Sequence, residues 1–127
     1  MINPKIKICG VSDIDILKQL INLNLDYVGF IFYSKSPRFV DEVFLEKIQD
    51  IDFIDTRPVC VYVNADEDFI YKTSSFFNNP ILQFHGDEDQ NFCETFGLDY
   101  WKAIRIKDEN DIEKISQYNS ASAILLE

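Results

Sequence analysis

The sequence predicts a parallel α/β fold of the form (βα)5β, a single domain over residues 1–127. Three observations lead to it. Six strand-like runs alternate with helical patterns from end to end, starting roughly 20 to 30 residues apart, as successive βαβ units do. Two of the runs, Tyr27-Val28-Gly29-Phe30-Ile31-Phe32-Tyr33 and Val59-Cys60-Val61-Tyr62-Val63, are apolar without interruption, as suits strands buried on both faces. Polar helix-start signals stand between the runs in place of two-residue hairpin turns.

The first strand, residues 5–9, ends at Cys9-Gly10. Alternation places Lys5, Lys7 and Cys9 on one face and Ile6 and Ile8 on the other. Ser12-Asp13-Ile14-Asp15 then fits a capping box, and Ile14, Leu17, Leu20 and Ile21 follow at helical spacing. The second strand, residues 27–33, leads to a helix over about residues 41–51 that buries Phe44, Ile48 and Ile51. After the third strand, residues 58–63, Asn64-Ala65-Asp66-Glu67 offers an N-cap with an acid three residues on. Asp87-Glu88-Asp89-Gln90 repeats that logic with an amide, after the fourth strand, residues 81–85. A fifth strand, residues 100–106, precedes a last helix opened by Asp108, with Ile112, Ile115 and Tyr118 as its buried stripe. The sixth strand covers residues 122–126.

With right-handed crossovers, two architectures suit this pattern: an open doubly wound sheet, or part of a (βα)8 TIM barrel. The first βα turn, Cys9-Gly10-Val11-Ser12, holds one glycine and is neither a dinucleotide nor a P-loop fingerprint. That weakens the nucleotide-binding form of the open sheet.

Composition narrows the partners. The net charge is −10, with 46% apolar residues; a packed core is expected. Nucleic-acid and anionic-membrane partners are disfavoured, whereas a small anionic metabolite in a locally positive pocket is compatible. The N-terminus carries neither a signal-peptide pattern nor an Arg-rich transit pattern, and the longest apolar run is far too short to span a bilayer. Cys9, Cys60 and Cys93 are odd in number and lack metal-ligand spacing. A cytoplasmic setting and no metal are the expectations.

Function in parallel α/β folds sits at the C-terminal ends of strands. The polar residues there are Cys9; Ser34, Lys35, Ser36 and Arg38; Asn64; Gln83 and His85; Arg105 and Lys107; and Glu127. They include a base in Cys9, an acid in Glu127, and two arginines able to hold a carboxylate or phosphate. Each has a plainer alternative. Cys9 can be a small residue closing a strand, His85 a strand-end ring bonded to backbone, and Arg38 a solvated loop residue. Gln83 shares the face of His85, so the two can line one cavity. Cys60, Cys93 and Trp101 read as core packing.

Taken together, Lys7-Ile8-Cys9-Gly10-Val11-Ser12, Asp26 through Tyr33 with Lys35-Ser36-Pro37-Arg38, Val61-Tyr62-Val63-Asn64, and Leu82-Gln83-Phe84-His85-Gly86-Asp87-Glu88 resemble the phosphoribosylanthranilate isomerase family. The resemblance runs in order from the first strand to the sixth and implies the N-terminal part of a TIM barrel. It implies a cofactor-free Amadori rearrangement in tryptophan biosynthesis, turning N-(5-phosphoribosyl)anthranilate, an aminoaldose, into an aminoketose. By similarity Cys9 is the general base at C2 of the ribose unit, and Arg38 holds the anthranilate carboxylate. Lys7, Gln83 and His85 join it as substrate-binding residues.

Two departures from that family bear on activity. Its general acid is an aspartate closing strand six, and this chain reads Ile124-Leu125-Leu126-Glu127. The carboxyl therefore stands one methylene further out, a displacement that can cost about 100-fold in rate. A (βα)8 barrel also takes about 200 residues or more, so the phosphate-binding loops after the later strands are missing from this sequence. The chain by itself is expected to be inactive and to expose two sheet edges. Those edges, and an interior face short of packing partners, point to poor stability or self-association. Two alternatives are a repurposed half-barrel acting as a non-enzymatic binding or assembly module, and a barrel isomerase or aldolase for another phosphosugar.

Overall fold

Strands that are apolar on both faces need cover on both sides, and the computed structural model, which describes residues 3–127, shows how each side is covered. The strands are β1 (Lys7–Cys9), β2 (Tyr27–Ile31), β3 (Arg57–Tyr62), β4 (Ile81–Phe84), β5 (Tyr100–Ile104) and β6 (Ala123–Leu126). They form one parallel sheet in the order β1-β2-β3-β4-β5-β6. A doubly wound sheet reverses its strand order at a switch point; this one never does. The sheet is a curled partial barrel, and the open-sheet alternative falls.

Curling brings together strands three apart. Lys7 of β1 reaches Gln83 of β4, and Tyr27 of β2 meets Trp101 of β5 edge-on at 4.8 Å. Val59, Val61, Ile81 and Trp101 are buried on this concave face. The expected loss of interior packing shows at both ends of the sheet: β1 is exposed or half-buried, and on β6 Ala123, Ile124 and Leu125 are only half-buried.

The convex face carries α1 (Ile14–Asn22), α2 (Glu42–Ile48), α3 (Glu67–Ser74) and α4 (Gln90–Glu94). Val28, Phe30, Phe32, Tyr62, Leu82 and Phe84 of the sheet pack there against Leu17, Ile21, Leu45, Ile48 and Ile70 of the helices. Removing a core aromatic such as Phe30 or Phe84 would cost about 3–5 kcal/mol.

The helices open on Asp13, Asp41, Asp66 and Asp89, each accepting a bond from the backbone N–H three residues on. Three of these differ from the sequence pattern, which placed the starts at Ser12, Asn64 and Asp87. Asn64, the Asp87 N–H and the Glu88 carboxylate are engaged instead in tying two loops together, which leaves the capping to the next aspartate. The α2 helix ends at Ile48, short of residue 51.

Asp108 does cap the last helix, with a capping box to Asp111, but residues Glu109–Gln117 form a 3₁₀ helix. Three residues per turn put Asp111, Lys114 and Gln117 along the cleft described below. The expected buried stripe is only partly formed: Ile112 is 55% exposed, while Ile115 and Tyr118 are half-buried. No helix among the described residues is long and apolar enough to cross a membrane.

Candidate active site

All six strands run the same way, so their C-terminal ends meet along one rim. β1 ends there at Cys9, whose residue is exposed. Gly29, its neighbour on β2, makes room: a Cβ there would lie 2.9 Å from the Cys9 sulfur and 3.2 Å from Lys7 Cε. Gly10 follows with φ +82°, which turns the chain toward α1 and lets Gly10 and Val11 both donate to the Gly29 carbonyl.

Arg38 arrives from the loop after β2. Its backbone N–H donates to Ser36 Oγ, and its Nη1 donates to the Cys9 carbonyl at 3.3 Å. The guanidinium lies over Gly10, where a Cβ would stand 2.3 Å from Nη1. Arg38 and Cys9 thus share one corner of the rim, and the exposed fork can still meet an anion.

A second line of contacts crosses the concave face. Lys7 Nζ donates to Gln83 Oε1. An ammonium can only donate, so this bond fixes the amide's orientation and turns Gln83 Nε2 toward His85 Nδ1 at 3.3 Å. Nδ1 must then accept, which leaves the ring proton on Nε2, 2.6 Å from Glu127 Oε1. One lysine thus sets an amide, a tautomer and the direction of a carboxylate. Burial lowers the pKa of Lys7 from its ordinary value, with the neighbouring Cys9 pulling the other way.

A cleft of about 800 Å³ opens along the same rim, lined among others by Asn64, His85, Arg105, Lys107 and Glu127. The structure therefore gathers Lys7, Gln83, His85 and Glu127 into one bonded chain, sets Cys9 and Arg38 at the neighbouring corner, and puts Arg105 and Lys107 beside Glu127. Ser34 and Lys35 stay exposed in the loop after β2. Trp101, Cys60 and Cys93 are core residues, and burial pushes the Cys93 thiol up to about 12.

Sequence reasoning passed over Lys102 and Glu88, both 3% exposed in their side chains and 3.6 Å apart behind the loop that follows β4. The signal was present: a lysine inside the otherwise apolar run Tyr100-Trp101-Lys102-Ala103-Ile104 requires a buried partner.

Known proteins are similar to this chain in sequence and fold. A family model described as N-(5'phosphoribosyl)anthranilate (PRA) isomerase matches residues 6–127. The N-(5'-phosphoribosyl)anthranilate isomerase of Thermoanaerobacter pseudethanolicus is 38% identical over 122 residues, covering 94% of this chain and 59% of that protein. The isomerase of Nitrosomonas europaea is 34% identical over 124 residues, covering 97% and 59%. A crystal structure of phosphoribosyl anthranilate isomerase in complex with reduced 1-(o-carboxyphenylamino)-1-deoxyribulose 5-phosphate superposes with a TM-score of 0.82. It is 28% identical, and the match covers 97% of this chain and 64% of that one. The chain thus spans about three fifths of the length of the relatives it matches.

Proposed function

The chain belongs to the N-(5'-phosphoribosyl)anthranilate isomerase family, and we propose that it carries the proton-handling and carboxylate-binding part of that family's active site. The reaction is the rearrangement of an N-linked aminoaldose to the aminoketose. Glu127 gives a proton to the furanose oxygen, so that the C1–O bond breaks and C1 becomes an iminium carbon. Cys9 takes the proton from C2; the C–H electron pair forms the C1=C2 bond of an enamine, which settles to the ketone. Arg38 holds the aromatic carboxylate by its fork, and Lys7, Gln83 and His85 line the pocket and direct the acid.

One observation carries the proposal. Cys9 and Glu127 close the first and last strands of a single parallel sheet, and each stands beside a group suited to its role: Arg38 at Cys9, His85 at Glu127. The ligand of the related crystal structure bears an aromatic carboxylate, a reduced sugar chain and a phosphate, the first two of which these residues suit. The proposal assigns the six strands no phosphate cradle; turnover is expected only when the later βα units of a relative are joined to the chain. By itself, the chain is proposed to associate through the edges β1 and β6.

The test is turnover of phosphoribosylanthranilate, followed by anthranilate fluorescence, in the 127-residue chain and in a chain extended with a relative's C-terminal units. Cys9→Ala in the extended chain should lower kcat by about 100-fold or more, within the range general-base catalysis supplies. Unchanged turnover removes Cys9 as the base. Glu127→Asp tests the acid separately, by whether the rate rises.

A further inference from the structure

Lys102 and Glu88 are buried on the convex side of the sheet, where Lys102 forms part of the floor of the cleft beside His85 and Glu127, and their bonds converge on the peptide that follows His85. Glu88 Oε1 accepts from Gly86 N–H and Oε2 from Asn64 N–H, both at 2.8 Å. Lys102 Nζ donates to the Gly86 carbonyl at 2.6 Å and to the Ala103 carbonyl at 3.1 Å. Gly86 is thus held by its N–H from one member of the pair and by its carbonyl from the other. Tyr118 closes the cluster: its hydroxyl donates to the Glu88 carbonyl at 2.6 Å, and its ring lies 5.5 Å from Lys102 Nζ. Asn64 Oδ1 accepts from Asp87 N–H at 2.8 Å, and His85 N–H donates to the Tyr62 carbonyl.

A buried ion pair is a poor device for stability alone, since hydrophobic replacements often serve as well. Its worth here is directional. His85 stands where β4 gives way to a loop, and a ring at a loop's start takes its aim from the backbone on both sides. β4 and Tyr62 fix that backbone before the ring; after it, the Lys102–Glu88 pair holds both polar groups of Gly86, the residue next to the ring, and Asn64 bonds the Asp87 N–H beyond.

We propose that Lys102 and Glu88 are positioning residues that clamp the Gly86 peptide from both ends, and so hold the His85 imidazole with its Nε2 proton on Glu127. The catalytic meaning of that aim rests on the function proposed above; the clamp itself does not.

His85 is the chain's one histidine, so a ¹⁵N-labelled sample of the 127-residue protein shows a single pair of ring nitrogens. At a pH where the ring is neutral, the parent should show one tautomer, protonated at Nε2. In the Lys102→Met/Glu88→Gln double variant, which removes both buried charges, the two nitrogens should move toward the averaged shifts of a free histidine while the protein still melts cooperatively. If the double variant does not fold, Glu88→Gln alone leaves Lys102 its carbonyl partners and should show the same movement. A folded variant with the parent ring shifts overturns the clamp, as does a parent that shows no preferred tautomer. The ring signature needs no turnover, so an inactive extended chain would sink the isomerase reading and leave this one standing.

Discussion

At the scale of single residues, Cys9 depends on two glycines more than on its charged neighbours. Gly29 leaves space beneath the sulfur, and Gly10 lets Arg38 lie over the turn while holding a positive φ. An alanine at position 10 therefore meets two obstacles: a left-handed backbone that disfavours a Cβ by about 1–2 kcal/mol, and the guanidinium itself. Gly10→Ala in the extended chain should displace Arg38 and raise KM about 10-fold or more, with a smaller change in kcat, because a carboxylate anchor binds ground and transition states alike. Steady-state kinetics separate the two; an unaltered KM would remove Arg38 from substrate binding. Arg38, Gln83 and His85 were legible as strand-end polar residues. Their chemistry was not, because the His85 tautomer depends on Lys7 reaching across from a strand 76 residues away in sequence.

Among the elements, the four α-helices share one device, an aspartate N-cap whose side chain accepts the N–H three residues on. Asp13 on α1 is an example with no second role in the structure, its bond to Ile16 N–H being 3.0 Å. Asp13→Ala should destabilise the protein by about 1 kcal/mol and lower the melting temperature by about 4 °C, measured by calorimetry. A loss several times larger would mean that the turn after Cys9 also leans on Asp13. Strand and helix order were readable from hydrophobic periodicity alone. The caps slipped in the third and fourth units because Asn64, Asp87 and Glu88 bond to each other across two loops, and a local pattern does not contain that partnership. The last helix slipped in type: its Ile112, Ile115 and Tyr118 recur every three residues, the 3₁₀ period, and Ile112 at the first turn stays exposed.

Across the whole molecule, burial of protonated groups sets the response to alkali. Burial pushes the Cys60 thiol and the Tyr62 phenol above their ordinary values of 9.0 and 10.0. The folded state then keeps protons that the unfolded chain releases above about pH 9, so stability is fully present below that pH and falls as pH rises beyond it. Each such group adds about 1.4 kcal/mol per pH unit to the slope. Lys7, whose pKa burial lowers, works in the opposite sense, since the fold gains as that ammonium loses its proton. Urea unfolding at pH 8 and pH 10.5 should show a clear net loss at the higher pH; in Cys60→Ala the loss should be smaller.

Sheet closure is the other property at this scale. β1 and β6 are terminal strands of the described sheet; they bear Ile8 and Leu126 at 39% and 61% exposure, and Ile6, just before β1, is 50% exposed. Unpaired edges with apolar flanks favour association. Sedimentation velocity should therefore reveal concentration-dependent oligomers, and a monodisperse, cooperatively melting monomer would refute the proposed association.

The sequence by itself determined the parallel (βα)5β order, the family, and the rim residues Cys9, Arg38, Gln83, His85 and Glu127, because periodicity, caps and strand ends are local properties of a chain. Only the tertiary structure decided that the sheet curls without a switch point, that Lys7 governs the direction of Glu127 through Gln83 and His85, and that Lys102 and Glu88 grip the loop behind them. The Lys7–Gln83 and His85–Glu127 bonds join residues 76 and 42 positions apart across non-adjacent strands, which the curl of the sheet brings together, while Lys102 meets Gly86, 16 positions away, because β4 and β5 are paired neighbours.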